Sequence, residues 1–406
     1  MRRRPKACCC TKASVQPSAF SRQRKLAAFV FCPFFCLLAT LANRHYNIGM
    51  SAPEIILDRW VKAQAARHPS LANYLGKLDI GQVEPPSLQA ILRLVQDAMN
   101  GALRLESVNA SGGVAHPPFH FDYIQVRDGK AIQNAHAFQH GGFSFIVVTQ
   151  PLVELLWDLS RQLSRSTHVQ GLLRIDPAAV RLAALQALLF QFQLSFLVSH
   201  EYTHHVHQHC EQGDSGIAGV WTEFSQDDTD GGIDSQVHEL DADGYAIYLV
   251  LANYLRGGAR QSALVQLGRQ GLSSSDADEF LLMCFFLAVT AFFCNLWPED
   301  IKITSIGQLS HPPAPVRIEY AIRVAKMWCD QNGSVPESWF GAERFRALFG
   351  TAAKAIGGAE RQSWDAHISF LQSGEGKKYD RLLLERFETI RRNRQKSSQS
   401  AMGARA

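Results

Sequence analysis

The stretch Ser199-His200-Glu201-Tyr202-Thr203-His204-His205 carries residue types whose spacing permits hydrolytic chemistry. On a helix, residues four apart share a face, so the imidazoles of His200 and His204 can reach one Zn²⁺ at about 2.0–2.1 Å. Glu201 projects beside them and can act as general base on a water at the metal's open position. Such a metal needs a third protein ligand, which normally arrives from another helix. A ligand at 210 with glycine at 207 would supply it locally, but His207 and Cys210 stand there. Further along, Val237-His238-Glu239-Leu240-Asp241-Ala242-Asp243-Gly244-Tyr245-Ala246 reads as helix. Glu239 and Asp243 share a face of it, so that one can ligate the metal while the other accepts the Nδ1–H of a ligating histidine. Alone, an acidic pair at this spacing is an ordinary solvated helix face; the first motif gives it weight. His205, His207 and His209 are assigned to the polar side of the first helix or to its C-terminal turn, where the helix dipole favours imidazolium.

His200-Glu201-x-x-His204 followed by Glu239-x-x-Ala242-Asp243 resembles the gluzincin signature of the HtpX-like and CAAX-prenyl-protease family of metallopeptidases. Two more stretches are similar to that family. Asn134-Ala135-His136-Ala137-Phe138, with Gly141-Gly142 and Phe143 to Thr149, resembles its edge strand and hairpin, and His311-Pro312-Pro313 before Arg317-Ile318 resembles its histidine-proline segment. The likeness runs from about 134 to 320, with the segments in the family's order. The zinc motif is similar as well to that of the Lit-type phage-exclusion peptidases.

The resemblance implies a zinc endopeptidase with His200, His204 and Glu239 as ligands, Glu201 as general base and Asp243 behind a ligand histidine. It also implies that His311 and Arg317 hold the oxyanion or brace the site, and that Asn134, Ala135, His136 and Ala137 form a substrate-binding edge. An unpaired strand beside the metal can accept an extended peptide as an added strand; a buried hairpin would give the same sequence pattern. The family's membrane members carry several transmembrane helices and lack this chain's acidic loop, so membrane topology and substrate class do not transfer.

These residues need elements to position them. From about 51 to 105 the pattern is helical (Ile91, Leu92, Leu94, Val95, Met99), interrupted at Pro85-Pro86. Across 119–149 the period becomes two: a strand from Phe119 to Val126, a turn at Asp128-Gly129, a second strand through Phe138 and a third from Phe143 to Thr149 predict a small antiparallel sheet. Asp176-Pro177 reads as the cap and first position of one long buried helix reaching about His209. Cys210 to Ser235 reads as a surface loop, and a further helix runs from Asp234 or Ser235 to a Gly257-Gly258 stop. Phe280 to Trp297 carries no charge and would be about 27 Å long, near the ~30 Å of a bilayer core. Its acidic flanks favour a buried core helix over a membrane span. A helix after Pro315 and a charged C-terminal helix ending near Arg394, with the last ten residues frayed, complete the chain.

With 406 residues, 46% hydrophobic and 19% charged, the chain is globular rather than disordered or collagen-like, and its mean hydropathy of −0.10 argues against a polytopic transporter. Residues 1–49 hold nine Lys/Arg and no acid, leaving 32 basic against 37 acidic residues in the rest, so no nucleic-acid partner is expected. Five of the nine cysteines also lie in that first segment; the others predict a reducing compartment. The basic stretch and the apolar run 26–42 read equally as a signal or anchor and as an extension upstream of a start at Met50. The protein is then cytoplasmic if translation starts at Met50 and membrane-anchored if 26–42 is an anchor, and contact with a membrane is open through 26–42 or 280–297.

The expected organisation is thus 1–49 as that segment, 50–116 as an N-terminal helical region, 117–345 as the catalytic core and 346–406 as a C-terminal helical region with a basic tail. The expected fold is α+β, a zincin-like metallopeptidase, mostly helical with one small antiparallel sheet. The expected function is zinc-dependent endopeptidase action on protein or peptide substrates. The rivals are a non-catalytic zinc-binding interaction protein and a membrane-bound scaffold.

Overall fold

The computed structural model describes residues 52–67, 71–109, 117–127, 133–176, 180–207, 220–222, 232–296, 311–357 and 372–403, with single positions at 209, 306, 309 and 369. Segments 1–49 and 26–42, the Asp128-Gly129 turn and most of the loop 210–231 lie outside these residues. Among the described residues the chain is mostly helical around one five-stranded sheet.

Helix α1 (Ala52–Arg67) leads into strand β1 (Tyr74–Lys77), which lies inside the stretch expected to be only helical. Four residues are too few to impose a visible period. Helix α2 (Pro86–Asn109) follows, then β2 (Phe119–Val126), β3 (Ala135–His140) and β4 (Phe143–Thr149). Gly141 and Gly142 sit at φ +56° and +82°, the left-handed conformations a tight two-residue hairpin requires, and they join β3 to β4 in antiparallel register. The Asn134 N–H donates to Thr149 Oγ1 at 2.9 Å and closes that ladder.

The sheet is mixed, not purely antiparallel. Its order is β1-β2-β4-β3-β5, with β2 parallel to β4 and β5 (Val220–Thr222) antiparallel to β3. Thus β2 and β3 are not hairpin neighbours, because β4 lies between them. Both faces of β2 are covered. Phe121 and Tyr123 join the main core, while Ile124 and Val126 pack with Leu57 and Val61 of α1. The polar positions on the α1 side that imitate a solvated face are enclosed instead. Asp122 is fully buried and accepts from Gln96 Nε2 at 2.7 Å, and His120 lies 3.4 Å from it.

Helices α3 (Gln150–Arg165) and α4 (Thr167–Leu172) precede the long α5 (Leu182–Val206). The α5 helix starts five residues later than an Asp176 cap suggests. Asp176 closes a turn by accepting from Val180 N, and Arg181 is extended at φ −71°, ψ 103°. Gln193, fully buried in α5, accepts from Ser160 Oγ on α3 (2.9 Å) and donates to the Ala288 carbonyl (3.0 Å). Every buried polar atom needs such a partner, and these bonds fix how α5 lies against its neighbours.

Then come α6 (Gly232–Leu251), a π-helical turn (Ala252–Arg256), α7 (Gly258–Gln266) and α8 (Ser274–Leu296). Helices α5 and α8 are both long and apolar enough to cross a membrane, yet the apolar window of α8 is 94% buried by the protein itself. Helix α9 (Ala314–Asn332) packs against α6, where Tyr320 lies so close to Gly244 that a Cβ there would meet its hydroxyl at 3.0 Å. Helices α10 (Ala342–Ala355) and α11 (Gly374–Gly403) end the chain; α11 runs through most of the segment expected to fray.

Contacts cross the expected bounds at 116/117 and 345/346. Strand β1 pairs with β2, one hydrophobic core runs from Leu78 to Ala352, and Arg386 of α11 donates to Asp234 of α6 at 2.6 Å.

Candidate metal centre

Helix α5 is apolar on every side because sheet, α3, α6 and α8 surround it, and its last two turns bring His200, Glu201 and His204 fully inside the protein. Helix α6 lies alongside and presents Glu239 and Asp243, also buried. His200 Nε2 lies 2.9 Å from His204 Nε2 and 3.2 Å from Glu239 Oε2, and His204 Nε2 lies 3.4 Å from Glu239 Oε1. Four ligands at ~2.0–2.1 Å around a tetrahedral ion stand at just such separations from one another. The three side chains form a group that could hold a metal ion.

The proton count supports that fit. Asp243 Oδ1 accepts from His200 Nδ1 at 2.9 Å, which places the proton of the neutral ring on Nδ1 and leaves a lone pair on Nε2. That lone pair and an oxygen of Glu239 point at one another within 3.2 Å, an arrangement a cation stabilises. Burial, aided by the neighbouring His200, His209, His238 and His311, holds the His204 imidazole well below the usual histidine range, so it is neutral and able to ligate. Burial alone would raise the Asp243 carboxyl. The charge and hydrogen bonds of Arg317, together with those of His200, outweigh it and hold the Asp243 carboxyl below the usual carboxylate range.

Arg317 is itself buried on α9. It donates to both Asp243 oxygens, Nε and Nη2 each at 2.8 Å, and lies over the Phe293 ring at 4.6 Å. The structure therefore places it against Asp243, with Nη2 3.7 Å from Glu239 Oε2. His311, on the approach to α9, is partly exposed and lies 3.4 Å from that same oxygen. Glu201 is completely buried next to His200.

The four segments of the sequence reading are not all brought to one place in the expected way. Asn134, Ala135, His136 and Ala137 are buried, and β3 is flanked on both sides, by β4 and by β5. It is thus not an open edge for a peptide, because the Val220–Thr222 segment of the acidic loop occupies that side. His136 Nε2 is paired with the Tyr74 hydroxyl at 2.7 Å and ties β3 to the β1 end.

His205 and His207 do stand in the last turn and at the cap of α5, but the run is not a solvated fringe, since His205 and His209 are buried. His205 Nε2 donates to the Phe145 carbonyl at 2.8 Å, joining α5 to the sheet. Helix α5 ends at Val206, with the His207 N–H donating to Thr203 O, and the chain then folds back so that His209 is buried against His204, Nδ1 to Nδ1 at 2.9 Å. His207, His209 and Asp241 form a second cluster of possible ligands. Helical periodicity could not reveal His209, since the helix stops before it. The odd-numbered run His205, His207, His209 was the only signal.

A helical protein with one mixed sheet and a buried His-His-Glu group on two adjacent helices is the class that this architecture defines. Residues 176–334 match the family model described as Peptidase U49, the Lit-type peptidase family. The match covers α5, α6, α8 and α9, hence His200, Glu201, His204, Glu239, Asp243, His311 and Arg317, and omits β1 to β4. It supports a peptidase, and it does so through the Lit-type likeness and not through the HtpX-like or CAAX-prenyl-protease one. No curated protein matches the chain, and no solved structure does.

Proposed function

We propose that this protein is a zinc-dependent endopeptidase of the gluzincin type, with His200, His204 and Glu239 as ligands and Glu201 as general base. The observation that carries the reading is the meeting of two i,i+4 pairs on separate helices, His200/His204 and Glu239/Asp243, with each residue type where the chemistry needs it. Two imidazoles and one carboxylate are the donor set of catalytic zinc sites, which keep a fourth position open. Zinc bound there supplies a Lewis acid that polarises a peptide carbonyl and acidifies water.

The chain's own residues supply the rest. Glu201, fixed one residue from His200 and shielded from bulk water, removes a proton from the attacking water and returns it to the leaving amine. Asp243 and Arg317 hold the His200 ring in one tautomer and one orientation. His311, partly exposed and 3.4 Å from Glu239 Oε2, donates to the developing oxyanion in this reading. A purely structural zinc site does not require Glu201, and burying a carboxylate costs several kcal/mol, so its presence favours hydrolysis over a non-catalytic site.

Purified Glu201→Gln protein is expected to hold one metal equivalent, as wild type does, while cleavage of a mixed peptide library read by mass spectrometry drops at least ~100-fold. His204→Ala is expected to lose the metal. Unchanged cleavage by the Glu201→Gln variant refutes the mechanism, and wild-type protein that binds no metal refutes the site.

A further inference from the structure

The two ligand histidines are supported differently. His200 donates directly to a carboxylate, Asp243. The outer nitrogen of His204, Nδ1, faces His209 Nδ1 at 2.9 Å, and the far side of that ring, Nε2, lies 3.2 Å from Asp241 Oδ2. Asp241 Oδ2 is also 2.7 Å from His207 Nδ1.

Proton counting gives these contacts one consistent assignment. With the His204 Nε2 lone pair directed at a metal, the neutral ring carries its proton on Nδ1. That proton is donated to His209 Nδ1, which must then be bare. His209 therefore has its own proton on Nε2 and donates it to Asp241, which accepts from His207 as well.

The rival use of this cluster, as a second cation site made of His207, His209 and Asp241, fails the same count. It needs a bare His209 Nε2, which moves the proton to Nδ1 and sets two N–H donors against each other at 2.9 Å. Both rings cannot be neutral with a cation on each.

We propose that His209 is a positioning residue for the metal centre. It relays the Asp241 carboxylate to His204 through its imidazole, fixing the tautomer and orientation of the second ligand as Asp243 fixes the first. Because His209 follows the end of α5 and Asp241 lies on α6, the relay also fastens the helix terminus to its neighbour. The stacking of His209 on His238, at 4.5 Å between centroids and 19° between planes, keeps the relay ring in plane. This inference rests on the metal-site reading above.

The test uses full-length wild-type, His209→Phe, His209→Gln and Asp241→Asn proteins, each titrated with zinc against a chromophoric chelator and each loaded with cobalt(II) for its visible spectrum. His209→Phe keeps the ring and removes both nitrogens; it is expected to weaken zinc binding about 10–100-fold and shift the cobalt bands. His209→Gln offers an amide oxygen to the His204 Nδ1–H and is expected to restore most of the affinity and the wild-type bands. Asp241→Asn keeps the shape and loses the charge, so binding weakens in the same direction towards the lower end of that range, even if His209→Phe fails to fold. Zinc binding by His209→Phe within twofold of wild type, with an unchanged cobalt spectrum, overturns the relay while leaving the metal site intact. Two zinc ions in wild type and one in His209→Phe also overturn it, since His209 would then be a ligand. Wild type that takes up no zinc overturns the metal-site reading and the relay together.

Discussion

Arg317→Met offers the sharpest physical test of how the site is built. The guanidinium and the Asp243 carboxylate are almost completely buried, joined by two 2.8 Å hydrogen bonds, and the carboxylate also accepts from His200. Methionine keeps much of the side-chain volume against Phe293 but leaves a buried carboxylate without its cation. Removing one partner of such a pair costs about 3–5 kcal/mol, because the remaining charge stays desolvated. At about 2–4 °C per kcal/mol this lowers Tm by roughly 6–20 °C. Asp243→Asn still accepts from His200 but strands the arginine, so it is costly too. The double variant removes both charges and is expected to lose at least about 2 kcal/mol less than the two single losses combined. The control is Arg323→Met, which breaks the exposed pairs with Glu319 and Asp380, each worth at most about 1 kcal/mol. Calorimetry of metal-free protein keeps metal affinity out of the comparison. A Tm drop under about 2 °C for Arg317→Met, or strictly additive losses in the double variant, would refute the reasoning.

Acidification of the metal-free protein should weaken it in a defined direction. Burial pushes His209 down to about 3, against about 6.5 in an unfolded chain, and the neighbouring Asp241 only partly offsets it; His204 is depressed as well. Between these values the unfolded state binds protons that the folded state does not, so stability falls as pH drops below about 6.5, by up to ~1.4 kcal/mol per unit for each histidine. A pH-independent Tm from 7 to 5 contradicts this, and His209→Phe should show a shallower slope. Burial also raises the Cys329 thiol to about 12 and the Cys284 thiol further still. Iodoacetamide at pH 8 should therefore leave both unmodified in native protein and label them after denaturation, as peptide mass mapping can verify. At the β3–β4 hairpin, Gly142→Ala strains a positive φ in open space, whereas Gly141→Ala also drives its Cβ to 2.8 Å from Ile56 Cγ2. Thermal melts should show a loss of about 1–2 kcal/mol for Gly142→Ala and a larger one for Gly141→Ala; equal losses would mean that Ile56 yields freely.

The sequence by itself determined the local geometry. A 3.6-residue period puts His200 with His204, and Glu239 with Asp243, on single faces whatever surrounds them, and Gly141-Gly142 demands a tight hairpin because few other residues accept two positive φ values. The order Glu239 before Asp243 could not say which would ligate and which would brace. That Asp243 is the one facing His200 Nδ1 follows from Arg317, 74 positions beyond it, which pairs with both its oxygens. The sheet was still less legible. Nothing local tells β2 to lie parallel to β4, since strand partners are chosen by backbone hydrogen bonds and by burial of both faces across long stretches of chain. His120 and Asp122 alternate like a solvated face because the residues that enclose them, Gln96 of α2, Lys77 of β1 and Phe145 of β4, come from other elements. His209 entered the centre for the same reason: the helix that positions His204 ends at Val206, and beyond that point the neighbouring helix, through Asp241, fixed where the chain went.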